Sequence, residues 1–192
     1  MDGSFRIAEP QGPAGKPPRR PWLQGDLDSL CGAYCVVNAV RYLAGTPSSR
    51  EASAELLQAI VTVWQPRRCL TERLLGGSDN RDIAKALKQI VGPRYAIQHR
   101  QPYRSAQGLT LDGYWQALQT FLAQERRLVI LRINGPHNHW TLVSQATPRA
   151  LRLYDSVQLK YLRRRHCDLN GSRDATRTHW LYPSHTHFLW VD

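Results

Sequence analysis

The chain has 192 residues, which is enough for one domain with a substantial hydrophobic core. Its hydrophobic share of 42% is close to the globular norm and excludes a fibrous or wholly disordered protein. Lysine and arginine number 26 against 15 acidic residues. The resulting net charge of +11 favours acidic partners such as nucleic acid, an anionic membrane or an acidic protein.

The first 20 residues are rich in proline, glycine and basic side chains. This composition predicts a flexible basic tail over residues 1–20 and one folded domain over residues 21–192. No apolar run approaches the roughly 20 residues of a membrane-spanning helix, and the N-terminus lacks the apolar core of a signal peptide. We therefore expect a cytoplasmic protein, whose export as an effector would need a route without a leader.

Helical periodicity predicts four helices in the N-terminal half. The first extends from about Leu30 to Ala44 and is apolar on almost every side, which is typical of a buried helix. The second begins with Ser48 and Glu51 at capping-box spacing. The third begins near Ser78 and ends before Gly92-Pro93, and the fourth begins near Asp112.

The C-terminal half changes to strand-like patterns. The predicted strands are residues 128–133, 139–146, 150–156 and 187–191. The second and third of them form a hairpin around Thr147-Pro148-Arg149, whereas the arginine-rich residues 159–184 show no clear pattern. Helices followed by antiparallel strands predict an α+β fold in which a helical part packs against a sheet.

Cys31 has the features of a nucleophile. It would lie in the first turn of the first helix, where unpaired backbone N–H groups and the helix dipole favour a thiolate. Cys35 lies one turn further into the apolar run, where it is expected to be an inert core residue. Taken alone, Cys31 also fits a buried structural thiol, because cysteine is among the most buried residue types.

A thiolate nucleophile needs a nearby base that is oriented by a third group. His139 opens one strand of the predicted hairpin and Asp155 closes the other. Around a turn at Thr147-Pro148, the two residues come opposite each other within one residue of register. The sequence therefore predicts that the Asp155 carboxylate orients the His139 imidazole.

An oxyanion donor completes such a site. Gln24 lies seven residues before Cys31 in the loop that leads into the helix, and its amide joins the Cys31 backbone N–H as a candidate donor. Asn38 is the alternative donor, but it lies two turns along the helix, where a structural role is the simpler interpretation.

The order of Gln24, "LCGAYC" at a helix start, "HW" on a strand and Asp155 after a hairpin resembles the papain-like cysteine peptidase superfamily. It is most similar to the compact bacterial branch that includes the bacteriocin leader-processing peptidases. The resemblance implies a papain-like fold, with a central buried helix that carries the nucleophile and packs against an antiparallel sheet. It covers residues 24–156. The spacing from Gln24 to Cys31 is one residue longer than is usual in the family, and Leu30 replaces a small or acidic residue.

Carried over by position, the resemblance makes Cys31 the nucleophile, His139 the general base, Asp155 its orienting acid and Gln24 the oxyanion donor. It implies a hydrolase that cleaves a peptide or isopeptide bond in a protein or peptide substrate, without a cofactor or metal. The same residues would also serve an amidase, deamidase or acyltransferase that acts as a toxin-like effector.

Two other interpretations remain open. A zinc site would use the pairs Cys31/Cys35, His137/His139 and His185/His187 as ligands, although cysteines four residues apart in an apolar helix are unusual ligands. A non-enzymatic basic module would bind nucleic acid or an acidic protein. Nucleic acid is the less favoured partner, because no arginine cluster is interleaved with aromatic residues. The sequence leaves the oligomeric state undetermined.

Overall fold

The computed structural model describes residues 20–46, 49–65, 69–171, 174 and 176–192. The predicted tail, apart from Arg20, and Ser48 of the predicted capping box lie outside these ranges. Within the described part of the chain, no helix combines the length and the apolar character needed to cross a membrane.

Helices and strands are both well represented. The described residues form the helices α1 (Cys31–Ala44), α2 (Arg50–Trp64), α3 (Leu70–Gly76), α4 (Asn80–Ala86), α5 (Gly92–Tyr95) and α6 (Leu111–Leu122). They form the strands β1 (Gln98–Arg100), β2 (Arg127–Asn134), β3 (His139–Ala146), β4 (Ala150–Leu153), β5 (Tyr161–Arg163), β6 (Cys167–Leu169), β7 (His179–Leu181) and β8 (His187–Trp190). The predicted α+β class is confirmed.

The eight strands belong to one sheet. Six of them follow the order β1-β8-β2-β3-β4-β5, and every neighbouring pair in that series is antiparallel. Outside this series, β7 pairs with the C-terminal end of β2 in the antiparallel sense and with β6 in the parallel sense. The arginine-rich region therefore contributes the short strands β5, β6 and β7, which sequence patterns do not predict because each has only three residues.

The first predicted helix is found with almost the expected bounds. It begins at Cys31, one residue later than expected, and Leu30 precedes it without a side-chain cap. It ends at Gly45, whose φ of 69° is in the left-handed region that glycine adopts without steric cost. Eleven of its residues are buried, as its all-round apolar character predicts.

Small polar side chains determine where the other helices begin. The Ser49 hydroxyl accepts a hydrogen bond from the Ala52 N–H at 3.1 Å and so caps α2. Thr110 caps α6 through the Gly113 N–H in the same way. The N-cap of α2 is thus Ser49, where the sequence prediction used Ser48.

The predicted end of the third helix at Gly92-Pro93 is wrong. After α4, residues Leu87–Val91 form a π-helical turn, and the chain continues directly into α5. In this turn the Gly92 N–H donates to the Leu87 carbonyl, five residues back. Pro93 occupies the start of α5, where its missing N–H leaves no helical hydrogen bond unmade.

The helix α3 is not among the helices that the sequence predicts. The Glu72 carboxylate accepts a hydrogen bond from the Cys69 N–H at 2.9 Å, which fixes the N-terminal end of the helix. The buried Arg73 side chain makes a bidentate ion pair with Asp82 of α4. A tertiary contact therefore stabilises α3, and seven residues offer little helical periodicity from which to predict it.

The sheet is covered on both faces, and β2 shows how its residues divide between them. Leu128 and Ile130 join the core that contains α1, α2 and α4, whereas Val129, Leu131 and Ile133 join the core that contains α6. Alternate residues of a strand point to opposite faces, so this near-continuous apolar strand is buried on both sides. The residues of β3 also contribute to both cores.

The ion pair between Arg73 and Asp82 generates a stability prediction. Both side chains are almost completely buried, and a second Asp82 contact comes from the Asp79 N–H at 2.9 Å. Asp82→Ala would leave a buried guanidinium without its partner, so we expect the free energy of unfolding to fall by about 3–5 kcal/mol. Urea denaturation measures the change.

Arg81→Ala is the matched control, because Arg81 is the exposed neighbour of Asp82 on α4. Its free energy of unfolding should stay within about 0.5 kcal/mol of that of the unmodified protein. Equal losses in the two variants would contradict a specific role for the buried pair.

Candidate active site

Cys31 is the first residue of α1, and its side chain lies at the boundary between the core and the surface. It is 9% exposed, with Leu30 and Ala33 buried beside it. The backbone N–H groups of this first turn have no helical carbonyl to accept them. The Cys31 sulfur therefore lies at the positive end of a buried helix, where negative charge is stabilised.

His139 and Asp155 are in direct contact. His139 Nε2 is 2.7 Å from Asp155 Oδ2, and both residues are buried. The other carboxylate oxygen accepts the backbone N–H groups of Val157 at 2.8 Å and Leu159 at 3.2 Å. With Nε2 bound to Asp155, Nδ1 is the remaining ring nitrogen, and Cys31 is close enough to His139 to contribute to its raised pKa.

These contacts raise the pKa of His139. Burial acts to lower it, but the hydrogen bond to Asp155 and then the one to Cys31 outweigh burial and raise the pKa of His139 to about 9. Burial would raise the pKa of Asp155, yet the hydrogen bond from His139 and its charge hold the pKa below its ordinary value. At neutral pH the imidazole is therefore protonated and the carboxylate is ionised.

His139 and Asp155 are not paired across the strands of the hairpin, although their side chains are in contact. The pairing Val143↔Leu153 shifts to Gln145↔Arg152 across a β-bulge, and β4 ends at Leu153. Asp155 thus lies beyond the ladder, in the turn that follows it, and only its side chain returns to His139. The predicted contact is present, but the predicted extension of the strand to residue 156 is wrong.

Gln24 lies in the loop that approaches α1. Its backbone N–H donates to the Ser156 carbonyl at 3.0 Å, next to Asp155. Its side-chain amide nitrogen donates to the Asp28 carbonyl, and its Oε1 is buried without a partner. Among the described residues, no hydrogen bond joins the Gln24 side chain to Cys31 or His139. The structure therefore brings Gln24 to the same loops without bonding it to the other three residues.

Asn38 and Cys35 are structural in their surroundings. The Asn38 amide accepts the Trp22 N–H at 2.7 Å and donates to the Trp22 carbonyl at 2.9 Å, so it anchors the segment before α1. Cys35 is 3% exposed, and burial together with the charges of Asp155 and Cys31 raises the pKa of its thiol well above its ordinary value. The sequence prediction that Cys35 is a core residue is confirmed.

The segment that precedes α4 packs closely against the start of α1. A methyl group on Gly32 would overlap the Ser78 side chain and would lie 2.9 Å from Ile83 Cδ1. The Ser78 carbonyl accepts the Trp140 indole N–H at 3.1 Å, which ties this segment to β3 next to His139. Glycine at position 32 therefore lets α1 approach the segment that also holds β3.

Four large apolar side chains around the site are exposed to solvent; we call them the apolar rim. They are Leu23 at 48%, Leu27 at 96%, Leu75 at 75% and Val157 at 44%. Two belong to the loop before Cys31, Val157 follows Asp155 by two residues, and Leu75 lies in α3. The Leu75 carbonyl accepts the Ser29 hydroxyl at 3.1 Å, so α3 borders the same loop.

Sequence reasoning missed the residues that shape the loop before Cys31. The Asp28 carboxylate accepts the Leu30 N–H at 2.9 Å, and the Ser29 N–H donates to the Leu74 carbonyl at 2.8 Å. The first contact is an Asx-type turn, for which an aspartate two residues before the helix is a usable signal. The second depends on α3 and has no local signal.

The zinc alternative is not supported by the positions of its residues. No group of three or more histidine, cysteine, aspartate or glutamate side chains is arranged to hold a metal ion among the residues that the structure describes. His187 is buried and bonds Asn80 at 2.9 Å, whereas His137 is exposed and stacks on His179. The pairs expected to share one ion therefore occupy different environments.

Comparison with known proteins adds no assignment. No family model matches the chain, and no curated protein matches it. We therefore infer the function of the chain from the chemistry of its own residues.

The close approach at Gly32 generates a prediction. Gly32→Ala places a methyl group against Ser78 and Ile83, so we expect the free energy of unfolding to fall by about 1–3 kcal/mol. Urea denaturation measures the loss, and the added substitution Ser78→Gly, which removes the side chain in the way, should recover part of it.

Gly76→Ala is the matched control, because a methyl group at this helical glycine meets nothing within 4 Å. Its free energy of unfolding should be unchanged or higher by up to about 1 kcal/mol. If Gly32→Ala behaves in the same way, the segment before α4 does not restrict position 32.

The raised pKa of His139 predicts a pH dependence of stability. Because the folded-state pKa of about 9 exceeds the ordinary value of 6.5, the contribution of His139 is complete below pH 6.5 and is lost as the pH rises to about 9. The difference in free energy of unfolding between the unmodified protein and His139→Gln should therefore narrow over this range. Urea denaturation across the same pH values measures it.

His137→Gln is the control, since His137 is an exposed histidine two residues away. That variant should keep the pH dependence of the unmodified protein. A constant difference between the unmodified protein and His139→Gln across the range would rule out the raised pKa.

Proposed function

We propose that the chain is a papain-like thiol hydrolase, most simply a peptidase, with Cys31 as nucleophile and the His139–Asp155 pair as its base. The observation that carries this proposal is the buried His139 imidazole, which is bound by Asp155 at 2.7 Å and whose pKa is raised in part by Cys31 at the start of α1. A nucleophile, a base and a group that orients the base are the parts that covalent acyl transfer requires.

The mechanism follows from the protonation state of the pair. In the ion pair that this reaction uses, the proton of the Cys31 thiol has passed to His139, and the sulfur attacks the carbonyl carbon of the substrate. The carbonyl electron pair moves to the oxygen, and as the C–N bond breaks His139 gives its proton to the leaving amine. His139 then takes a proton from water, which attacks the thioester and releases a carboxylic acid and Cys31.

Two donors are available for the oxyanion that forms in this reaction. The Cys31 N–H lies at the first position of α1, where no helical carbonyl accepts it. Gln24 has a second amide hydrogen beyond the one that it donates to Asp28. We assign both groups to the oxyanion, with the Gln24 side chain turning towards Cys31 when substrate binds.

The apolar rim favours a peptide with large apolar residues beside the bond that is cleaved. Leu27 and Leu75 are mostly exposed, and covering an apolar side chain is favourable by about 25 cal/mol per Å². A small polar amide would leave both side chains in contact with water. The rim therefore supports a peptidase over an amidase that acts on free amino-acid amides.

Thiol labelling tests the proposed nucleophile. Iodoacetamide reacts with the thiolate, and Cys69 is an exposed cysteine at the N-cap of α3 that provides a second labelling rate in the same chain. At pH 6 we expect Cys31 to be labelled faster than Cys69 even though it is the more buried of the two. His139→Gln should slow labelling of Cys31 by about tenfold or more and leave Cys69 unaffected. Peptide mass spectrometry after timed quenching gives both rates.

A mixed peptide library tests the reaction itself. New chain ends should appear with the unmodified protein, disappear with Cys31→Ala and fall about 100- to 10,000-fold in rate with Asp155→Asn. Cys35→Ala is the cysteine control and should retain cleavage wherever it folds. Conversion of glutamine to glutamate without cleavage would identify a deamidase instead. Slow labelling of Cys31 at pH 6, together with an unchanged library, would refute an enzymatic function.

A further inference from the structure

A second feature lies at the far end of β3. Residues from four separate parts of the chain line an open cavity of about 650 Å³, which we call the arginine cavity. The described residues that line it are Leu111, Asp112, Pro148, Arg149, Ala150, Arg163, Arg164, Arg165 and Arg177. Its size is typical of pockets that hold a small molecule.

Backbone and side-chain contacts hold the walls of this cavity together. Ala150 pairs with Arg163 across β4 and β5, and the Arg164 N–H donates to the Arg149 carbonyl at 2.9 Å. The indole N–H of Trp115 on α6 donates to the carbonyl of Thr147 at 2.7 Å, which fixes α6 to the β3–β4 turn. The fold therefore fixes the backbone from which the arginine side chains of the cavity extend.

Five arginines line the cavity against one acidic residue, Asp112. Asp112 pairs with Arg164, whose guanidinium also lies 5.6 Å from the Trp115 ring centroid. Arg177 contacts Asp174 and Asp168 at 3.5 and 3.8 Å. Within the described residues, no carboxylate pairs with the other three arginines, which are Arg149, Arg163 and Arg165.

This excess of positive charge favours an anion. Like charges about 4 Å apart in water repel by about 1 kcal/mol, so bringing arginines together has an energetic cost that a bound anion removes. The first turn of α6 also lines the cavity, and the positive end of that twelve-residue helix adds to the attraction. The planar guanidinium group matches phosphate oxygens in a bidentate arrangement.

The residues that line the arginine cavity favour a small phosphorylated molecule over a nucleic acid as its ligand. None of the nine described lining residues is aromatic, so the cavity offers no surface for stacking nucleic-acid bases. Its five arginines line one open cavity of about 650 Å³, whereas a nucleic-acid backbone requires an extended groove. We propose that the arginine cavity binds a small molecule that carries two or more phosphate groups.

The position of the cavity separates this ligand from the candidate active site. His139 begins β3 and the cavity lies just beyond its other end, so that the eight residues of the strand place the two sites roughly 25 Å apart. Binding at the arginine cavity therefore does not require the Cys31 thiol, and it stands whether or not the chain is a peptidase.

Isothermal titration calorimetry with inorganic tripolyphosphate tests the proposal. We expect the unmodified protein and Cys31→Ala to bind it equally, and Arg149→Gln/Arg163→Gln to bind about tenfold or more weakly, because charge-assisted hydrogen bonds are lost. Both substituted arginines are exposed, so the variant should fold; circular dichroism checks this. Arg165→Gln, also at an exposed position, is a second variant that should weaken binding on its own.

The control is Arg50→Gln/Arg81→Gln, which removes the same charge from exposed positions on α2 and α4. This control should bind tripolyphosphate like the unmodified protein. Equal weakening in the control and in Arg149→Gln/Arg163→Gln, or no weakening in either, would overturn the proposal. Tighter binding of a short DNA duplex than of tripolyphosphate, with competition between the two, would overturn it in favour of nucleic acid.

Discussion

The contact between His139 and Asp155 connects most of what is distinctive in this chain. It joins the first residue of β3 to the turn after β4, and the same imidazole interacts with the first residue of α1. Because the side chains of His139 and Asp155 are largely withdrawn from water, the charged imidazole and the charged carboxylate each need the other to remain stable. The helix start, the strand start and the turn are thus held in one arrangement by groups that are also chemically reactive.

Other contacts support that arrangement from outside. Gly32 allows the segment before α4 to approach α1, and the same segment binds Trp140 of β3 through the Ser78 carbonyl. On the opposite side, Ser29 binds the end of α3, which the buried Arg73 connects to α4. Residues with no role in the chemistry therefore fix the positions of those assigned to it, as a preorganised site requires.

Local patterns in the sequence predict the parts of the fold that depend on local physics. The apolar run from Leu30, the glycine after Ala44 and the alternating residues of β3 are enough to place α1, β3 and the turn after β3. They also bring His139 near Asp155, because a short turn between two strands restricts which residues meet. The contact tolerates the unpredicted bulge, since the long reach of the two side chains makes up for the shift in register.

The parts that were not predicted depend on distant residues. The helix α3 requires the ion pair with Asp82, and the helical chain after α4 continues past Pro93 only because a π turn precedes it. The strands β6 and β7 pair although residues 170–178 separate them in the sequence. None of these has a periodic signal within a short window. The apolar rim of the candidate site was not predicted either, and neither was the arginine cavity at the other end of β3. Each of them collects residues from segments that are far apart along the chain.

The strand β3 also determines how far a substitution at one of the two sites affects the other. Its two ends lie beside different groups of residues, Cys31, His139 and Asp155 at one and the arginine cavity at the other, and β2 and β4 pair with it on either side. Substitutions separated by more than about 10 Å usually have additive effects on free energy. The two ends can therefore be varied separately, in engineering and in evolution: substitutions in the loops around Cys31 should leave the arginine cavity unchanged, and substitutions at its arginines should leave those loops unchanged.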